Sequence, residues 1–139
     1  AVDLGQDEVR AMAEKFGFND ASQDVPVRAY TSVYPKDMNR SSTALTGIGQ
    51  FDVTATPLQM AMVSAALANG GELVSPHMVS QVTDGGGDVL EDHTDADAKR
   101  IVGSATADQL QSAMRTVVED GTGSNARISG ATVGGKTGT

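Results

Sequence analysis

The chain has 139 residues, with 18 acidic against 10 basic side chains and a formal net charge of −8. That balance argues against a nucleic-acid partner, because neutralising phosphates needs clustered Lys and Arg. Hydrophobic residues are 39%, aromatics 4%, and cysteine is absent, so a core must come from Ala, Val, Leu, Ile and Met, and disulfides and thiolate zinc sites are excluded. The length suits one modest domain burying roughly two thirds of its unfolded surface. No apolar run approaches membrane-spanning length. Ala1 in place of an initiator Met reads as a processed or excised chain.

Ala1 to Phe18 is predicted to be a helix, since Val9, Met12, Ala13 and Phe16 recur at three- and four-residue steps. Asp7 and Glu8 lie in its first turn and Lys15 near its last, as the helix dipole favours. Gly17 is the expected stop. The apolar face of this helix has no evident partner earlier in the chain. Asn19 to Thr46, with Pro26 and Pro35, shows little periodicity and is expected to be an irregular connection containing one short extended piece at residues 25–30.

The next element is the most clearly marked. Thr56 is a helix N-cap, Pro57 takes the first helical position and Gln59 stands where a capping-box partner belongs. Leu58, Ala61, Met62, Ala65 and Ala66 form the expected inward stripe, whose small residues allow close helix contact, and Asn69-Gly70-Gly71 ends it. Glu72 to Glu91 is predicted to be a β-ribbon turning at Asp84-Gly-Gly-Gly-Asp88. The acidic run from Glu91 to Asp97 reads as a solvated loop. A second helix is expected with Thr106 as N-cap, Gln109 as its box partner and Leu110, Ala113, Met114, Val117 and Val118 inward. Gly121 ends it. After a polar loop at Thr122-Gly-Ser-Asn125, Ala131-Thr-Val133 reads as a short strand running into the last residues.

Three possible sites carry little chemistry. The Gly47/Gly49 pair lacks the third glycine and the leading strand of a dinucleotide loop. His77 and His93 are the only histidines and have no ligand spacing for a metal. Gly130 with Gly135-Lys136-Thr137 literally fits a phosphate loop, but that loop must join a strand to a helix N-terminus. Here the loop itself contains the expected strand, and Gly138-Thr139 is a poor helix start. No cofactor or metal is expected.

The closing Gly134-Gly-Lys-Thr-Gly-Thr139 combines a compact cation, two short hydroxyls and glycines that admit close approach to backbone. It follows, in order, Ile48-Gly-Gln, Val53-Thr-Ala-Thr-Pro-Leu-Gln-Met-Ala, Leu67-Ala-Asn-Gly-Gly and Asp120-Gly-Thr-Gly. Together these strings resemble the transpeptidase domain of penicillin-binding proteins, most closely the monofunctional class B type, from the first helix to the last residue. The resemblance implies an α+β fold, in which helices pack on an antiparallel sheet beside an all-helical part, with this chain a helix-rich segment ending in an active-site strand. It implies a serine-type D,D-transpeptidase that acylates itself on a D-alanyl-D-alanine stem peptide and passes the acyl group to a second peptide's amine; β-lactams imitate the first peptide.

By the same resemblance, Lys136 supplies positive potential, and Thr137 and Thr139 offer hydroxyls to the substrate's terminal carboxylate. The Thr139 backbone N–H is an oxyanion donor, and Gly138 leaves room for substrate alongside the strand. Partners would be peptidoglycan stem peptides, β-lactam antibiotics and the remainder of the transpeptidase domain, with the parent protein anchored on the outer side of the cytoplasmic membrane. The sequence departs from the family in one large respect. No serine precedes a lysine by three positions, and no Ser-x-Asn occurs. Residues 1–139 are therefore expected to be a partial transpeptidase domain, truncated at both ends and inactive alone, because it lacks a nucleophile. A β-lactamase or β-lactam-sensor domain of the same fold, and a non-catalytic relative, are the alternatives.

Overall fold

The computed structural model describes residues 1–22, 24–25, 27–93 and 98–138. The first helix, α1, spans Gln6–Lys15, shorter than expected at its start. Its end is closed by a Schellman motif: Gly17 adopts φ +102°, its N–H donates to Glu14 O at 3.0 Å, and Phe18 N–H reaches back to Ala13 O at 3.2 Å. No α1 residue is buried, and Met12 remains 41% exposed. The helix is moored by polar contacts instead, with Met38 N–H donating to Gln6 Oε1 at 2.9 Å and Arg10 Nη1 to Lys36 O at 2.7 Å.

The connection expected to be irregular contains regular structure. Short strands β1 (Asp24–Val25) and β2 (Val27–Arg28) pair antiparallel, and α2 spans Arg40–Thr46. The α2 helix was hidden because its inward face is hydroxylic: Ser42, Thr43 and Thr46 are buried, and Asn39 caps it by accepting from Ser42 N–H at 2.9 Å. Residues Ser32–Tyr34 run between these helices. Val33 bridges Thr54, the Tyr34 hydroxyl donates to Thr46 Oγ1 at 2.6 Å, and Tyr34 meets Phe18 edge-on with ring centroids 6.4 Å apart. Asn19, at φ +61°, receives Tyr34 N–H on its Oδ1 and donates from Nδ2 to Tyr34 O.

Helix α3 spans Pro57–Ala68 and is capped as expected, Thr56 Oγ1 accepting from Gln59 N–H at 3.1 Å. The reciprocal half of the capping box is not made. Thr56 N–H donates to Ser32 Oγ at 3.0 Å, while the Gln59 side chain, 0% exposed, donates from Nε2 to Phe16 O at 2.6 Å. The buried line is accordingly Gln59, Met62, Ala66 and Leu67, turned by about one residue from the expected apolar stripe. At the far end, Gly71 N–H bonds to Ala66 O at 2.8 Å and the Leu67 carbonyl accepts Gln111 Nε2 at 2.7 Å.

The expected single ribbon is two. Strand β3 (Glu72–Val74) pairs antiparallel with β6 (Ala98–Arg100), while β4 (Gln81–Thr83) pairs with β5 (Val89–Asp92). Gly71 sets the first pairing: at φ +92° it accepts Ile101 N–H at 2.8 Å, and a Cβ there would lie 2.4 Å from Val102 O. The β4–β5 hairpin turns at Asp84–Asp88 as expected and is exposed throughout. Part of the acidic run is strand β5, and its Thr94–Asp97 portion lies outside the described residues.

Helix α4 spans Ser104–Glu119 and starts two residues before the expected N-cap, with Gly103 in that position and no side-chain cap. Thr106 therefore lies inside the first turn. Ala107 and Val118 are buried and Gln111, Met114 and Val117 half-buried, whereas Leu110 is 41% exposed. A line that includes Gln111 is again turned away from the purely apolar one. Tyr34, Met62, Ala66, Leu67, Ile101, Ala107 and Val118 make up the buried apolar set among the described residues.

Replacing Gln59 by Leu should lower stability by about 1–3 kcal/mol, the usual cost of stranding a buried polar group; an unchanged urea midpoint would refute its anchoring role. At the hairpin turn, Asp88 and Gly86 N–H groups donate to Asp84 Oδ1 at 2.9 and 2.8 Å, and these bonds hold its pKa below the ordinary 3.8. A carboxylate depressed in the folded state adds stability above its unfolded pKa and loses it as pH falls through the folded value. The Gly86 and Asp88 amide resonances should therefore titrate together with a midpoint below 3.8, and Asp84→Asn should remove that titration.

Candidate active-site wall

The last described residues sit where α4 puts them. A strand over Ala131–Val133 was expected, but residues 131–138 join no sheet among the described residues. A strand needs a ladder partner for its backbone groups, and here α4 takes that place. Gly135 N–H donates to Met114 O at 3.0 Å, a Cβ on Gly134 would lie 3.2 Å from Met114 Cβ, and one on Gly135 would lie 3.5 Å from Val118 Cγ2. The glycines thus let the backbone lie directly against the helix. Residues 130–137, which fit the phosphate-loop pattern in sequence, do not lead out of a strand among the described residues.

Beyond this contact the chain turns its functional groups outward. Lys136 is exposed, with Nζ 2.6 Å from Thr137 O and no ion pair among the described residues. Thr137 is exposed, and its Oγ1 lies 3.3 Å from Thr122 Oγ1. Gly138 faces open space, with no atom within 4 Å of where a Cβ would be. Thr139 lies outside the described residues. Of the sequence-predicted site residues, Lys136, Thr137 and Gly138 therefore form one continuous exposed wall.

The loop after α4, a polar connection that carries the Asp120-Gly-Thr-Gly string, reaches this wall. Gly121 and Gly123 lie against Val117, where added Cβ atoms would be 2.8 and 3.1 Å from its carbonyl oxygen, and Gly123 N–H donates to that oxygen at 2.9 Å. A short 3₁₀ turn at Ser124–Ala126 follows. Arg127 then returns to the helix end, donating from Nε to Val118 O at 3.1 Å and from Nη2 to Glu119 O. The paired glycines around Thr122 were the available signal. A groove of about 310 Å³ between α3, α4 and the terminal segment is lined by Leu67, Gln111, Met114, Arg115 and Gly134, and stops short of Lys136. The two histidines are exposed and apart from the wall: His77 lies beside Ser75 O, and His93 is 3.4 Å from Glu91.

The arrangement matches known proteins along its whole length. The model of the penicillin-binding protein transpeptidase domain matches residues 1–139. The peptidoglycan D,D-transpeptidase PbpA of Mycolicibacterium smegmatis is 30% identical over 138 residues, covering 99% of this chain and 28% of that protein. Stage V sporulation protein D of Bacillus subtilis is 30% identical over 139 residues, covering 98% of this chain and 21% of its own length. The chain thus spans less than a third of either relative. Among solved structures, the imipenem acyl-enzyme complex of penicillin-binding protein A from M. tuberculosis superposes with a TM-score of 0.85 at 27% identity, over 99% of this chain and 31% of that one. The D,D-transpeptidase domain of a peptidoglycan glycosyltransferase from Eggerthella lenta gives 0.81 at 30% identity, over 99% and 37%. With every residue matched and the helix-rich α+β architecture shared, this chain belongs to the penicillin-binding protein transpeptidase domain family.

Proposed function

We propose that this chain supplies the anion-binding wall of a serine-type peptidoglycan D,D-transpeptidase whose nucleophile lies outside these 139 residues. The observation that carries the reading is the outward presentation of Lys136 and Thr137 from a backbone pinned to α4 through Gly135 and Met114. A cation and a hydroxyl held on a fixed backbone suit a carboxylate, and a substrate ending in D-alanyl-D-alanine carries one.

The parent's serine oxygen would attack the penultimate D-alanine carbonyl. An ester forms, the peptide bond breaks, and the terminal D-alanine leaves with a proton on its amine. The amine of a second stem peptide then attacks the ester carbon, which forms the cross-link and restores the serine hydroxyl. With a β-lactam the broken amide is part of a ring, so the leaving nitrogen stays attached and the acyl-enzyme persists. In this scheme Lys136 lowers the energy of the developing negative charge, and Thr137 and Thr139 bind the carboxylate. The backbone N–H of Thr139 serves the oxyanion hole. Gly138, with open space beside it, lets the substrate backbone lie close.

Such a parent works where peptidoglycan is, on the outer face of the cytoplasmic membrane. No described helix of this chain is long and apolar enough to cross a membrane, so anchoring would fall to another part of the parent.

This chain alone should take no covalent label from fluorescent penicillin, while the parent should. A stable adduct on any serine of the isolated chain would contradict the assignment of the nucleophile to another segment. In the parent, Lys136→Ala should slow acylation by about a hundredfold or more, the scale of losing a charged group that acts on the transition state. Acylation kinetics equal to wild type would remove Lys136 from the mechanism.

A further inference from the structure

Resting on that functional reading, we infer that Thr122 is a positioning residue for the substrate-carboxylate hydroxyl, donating its own hydroxyl proton to Thr137 Oγ1 so that Thr137 points its proton at the bound anion. The two oxygens lie 3.3 Å apart, within hydrogen-bond reach, and either could donate in the absence of substrate. A carboxylate removes that ambiguity. It accepts and cannot donate, so the Thr137 proton must go to it, and Thr137 Oγ1 is left to accept. Thr122 is the neighbour in place to fill that role. A hydroxyl that accepts one hydrogen bond donates the next more strongly, because each polarises the other.

The meeting of these hydroxyls is built into the backbone on both sides. Thr122 sits between Gly121 and Gly123, and both glycines are needed because the loop lies flat on the last turns of α4. A Cβ on Gly121 would come 3.0 Å from Val117 Cα, and one on Gly123 would come 3.1 Å from Val117 Cγ1. Thr137 follows Gly134 and Gly135, which lie against Met114 of the same helix, with the Gly135 N–H on the Met114 carbonyl. Met114 and Val117 are neighbours on one helical face, about a turn apart. One rigid helix therefore holds both segments at a fixed separation, and Arg127 clamps its final carbonyls so that the loop cannot drift. The Asp120-Gly-Thr-Gly string becomes the outer support of the Lys136-Thr137-Gly138 wall.

The test uses the full-length parent and benzylpenicillin, separating the dissociation constant of the non-covalent complex from the acylation rate constant by stopped flow. Because Thr137 would hold the carboxylate equally before and during acylation, the loss should fall on binding. Thr122→Val should weaken binding by about three- to tenfold, the scale of one modest hydrogen bond, with the acylation rate constant within about twofold. Thr122→Ala should do the same, and Thr122→Ser, which keeps the hydroxyl, should restore binding to within about twofold. In a Thr137→Val background, Thr122→Val should add no further loss. With the methyl ester of the same penicillin, wild type and Thr122→Val should be alike. Unchanged binding in the Val and Ala variants, failure of Ser to rescue, or an undiminished effect in the Thr137→Val background would each overturn the inference while leaving the functional reading standing. A wild-type parent that takes no label overturns both.

Discussion

Helices α1, α3 and α4 are held in register by carbonyls at their C-terminal ends, which accept from side-chain donors in later parts of the chain. The last carbonyls of a helix have no partner within it and must find one elsewhere. Gln59 of α3 reaches the Phe16 carbonyl at the end of α1, and Gln111 of α4 reaches the Leu67 carbonyl at the end of α3. Arg127, beyond α4, takes the carbonyls of Val118 and Glu119. Among the described residues only seven apolar side chains are buried, two of them alanines. Directional hydrogen bonds to helix ends therefore fix positions that bulkier side chains would otherwise help to set. Other buried polar residues have different partners: the Thr43 and Thr46 hydroxyls donate to Asn39 O and Thr43 O, and Ser32 Oγ accepts from Thr56 N–H.

This arrangement ends at the exposed segment Lys136–Gly138. α4 is fixed to α3 by Gln111, and both the Thr122 loop and the Gly134–Gly138 segment are fixed to α4. The glycines on either side serve contact rather than flexibility: they remove the Cβ atoms that would hold backbone away from Met114, Val117 and Val118. What remains pointing outward is an ammonium, a hydroxyl pair and an unobstructed backbone edge. A site that recognises a carboxylate beside a reacting carbonyl needs such groups held in place before the substrate arrives.

Much of this was readable before any coordinates. Thr56, Pro57 and the Asn69-Gly-Gly stop mark α3, Gly17 ends α1, and Asp84–Asp88 turns the hairpin. The ordered strings ending in Lys136-Thr137-Gly138 carried the family, which the match over residues 1–139 bears out. The misreadings share a pattern. The sequence pattern makes Gln59 and Gln109 capping-box partners and runs the inward stripes of α3 and α4 through apolar residues alone. In the structure each inward line runs through a glutamine, Gln59 or Gln111, because the side chain's target is a carbonyl on another helix. Helix α2 was missed for a related reason: its inward residues are Ser and Thr, which apolar periodicity does not register. Strand β3 was assigned to the hairpin that follows it, but pairs with β6 across that hairpin.

The sequence by itself determined the family, the α3 cap, the glycine stop of α1 and the hairpin turn. Glycine stops and tight turns depend on residues a few positions apart, so they are legible without the fold. Only the tertiary structure decided which carbonyl each glutamine would take, which strand β3 would pair with, and that Thr122 would meet Thr137. Those choices are made between groups far apart in the chain, where a donor's identity is visible in the sequence but its acceptor depends on how the helices pack.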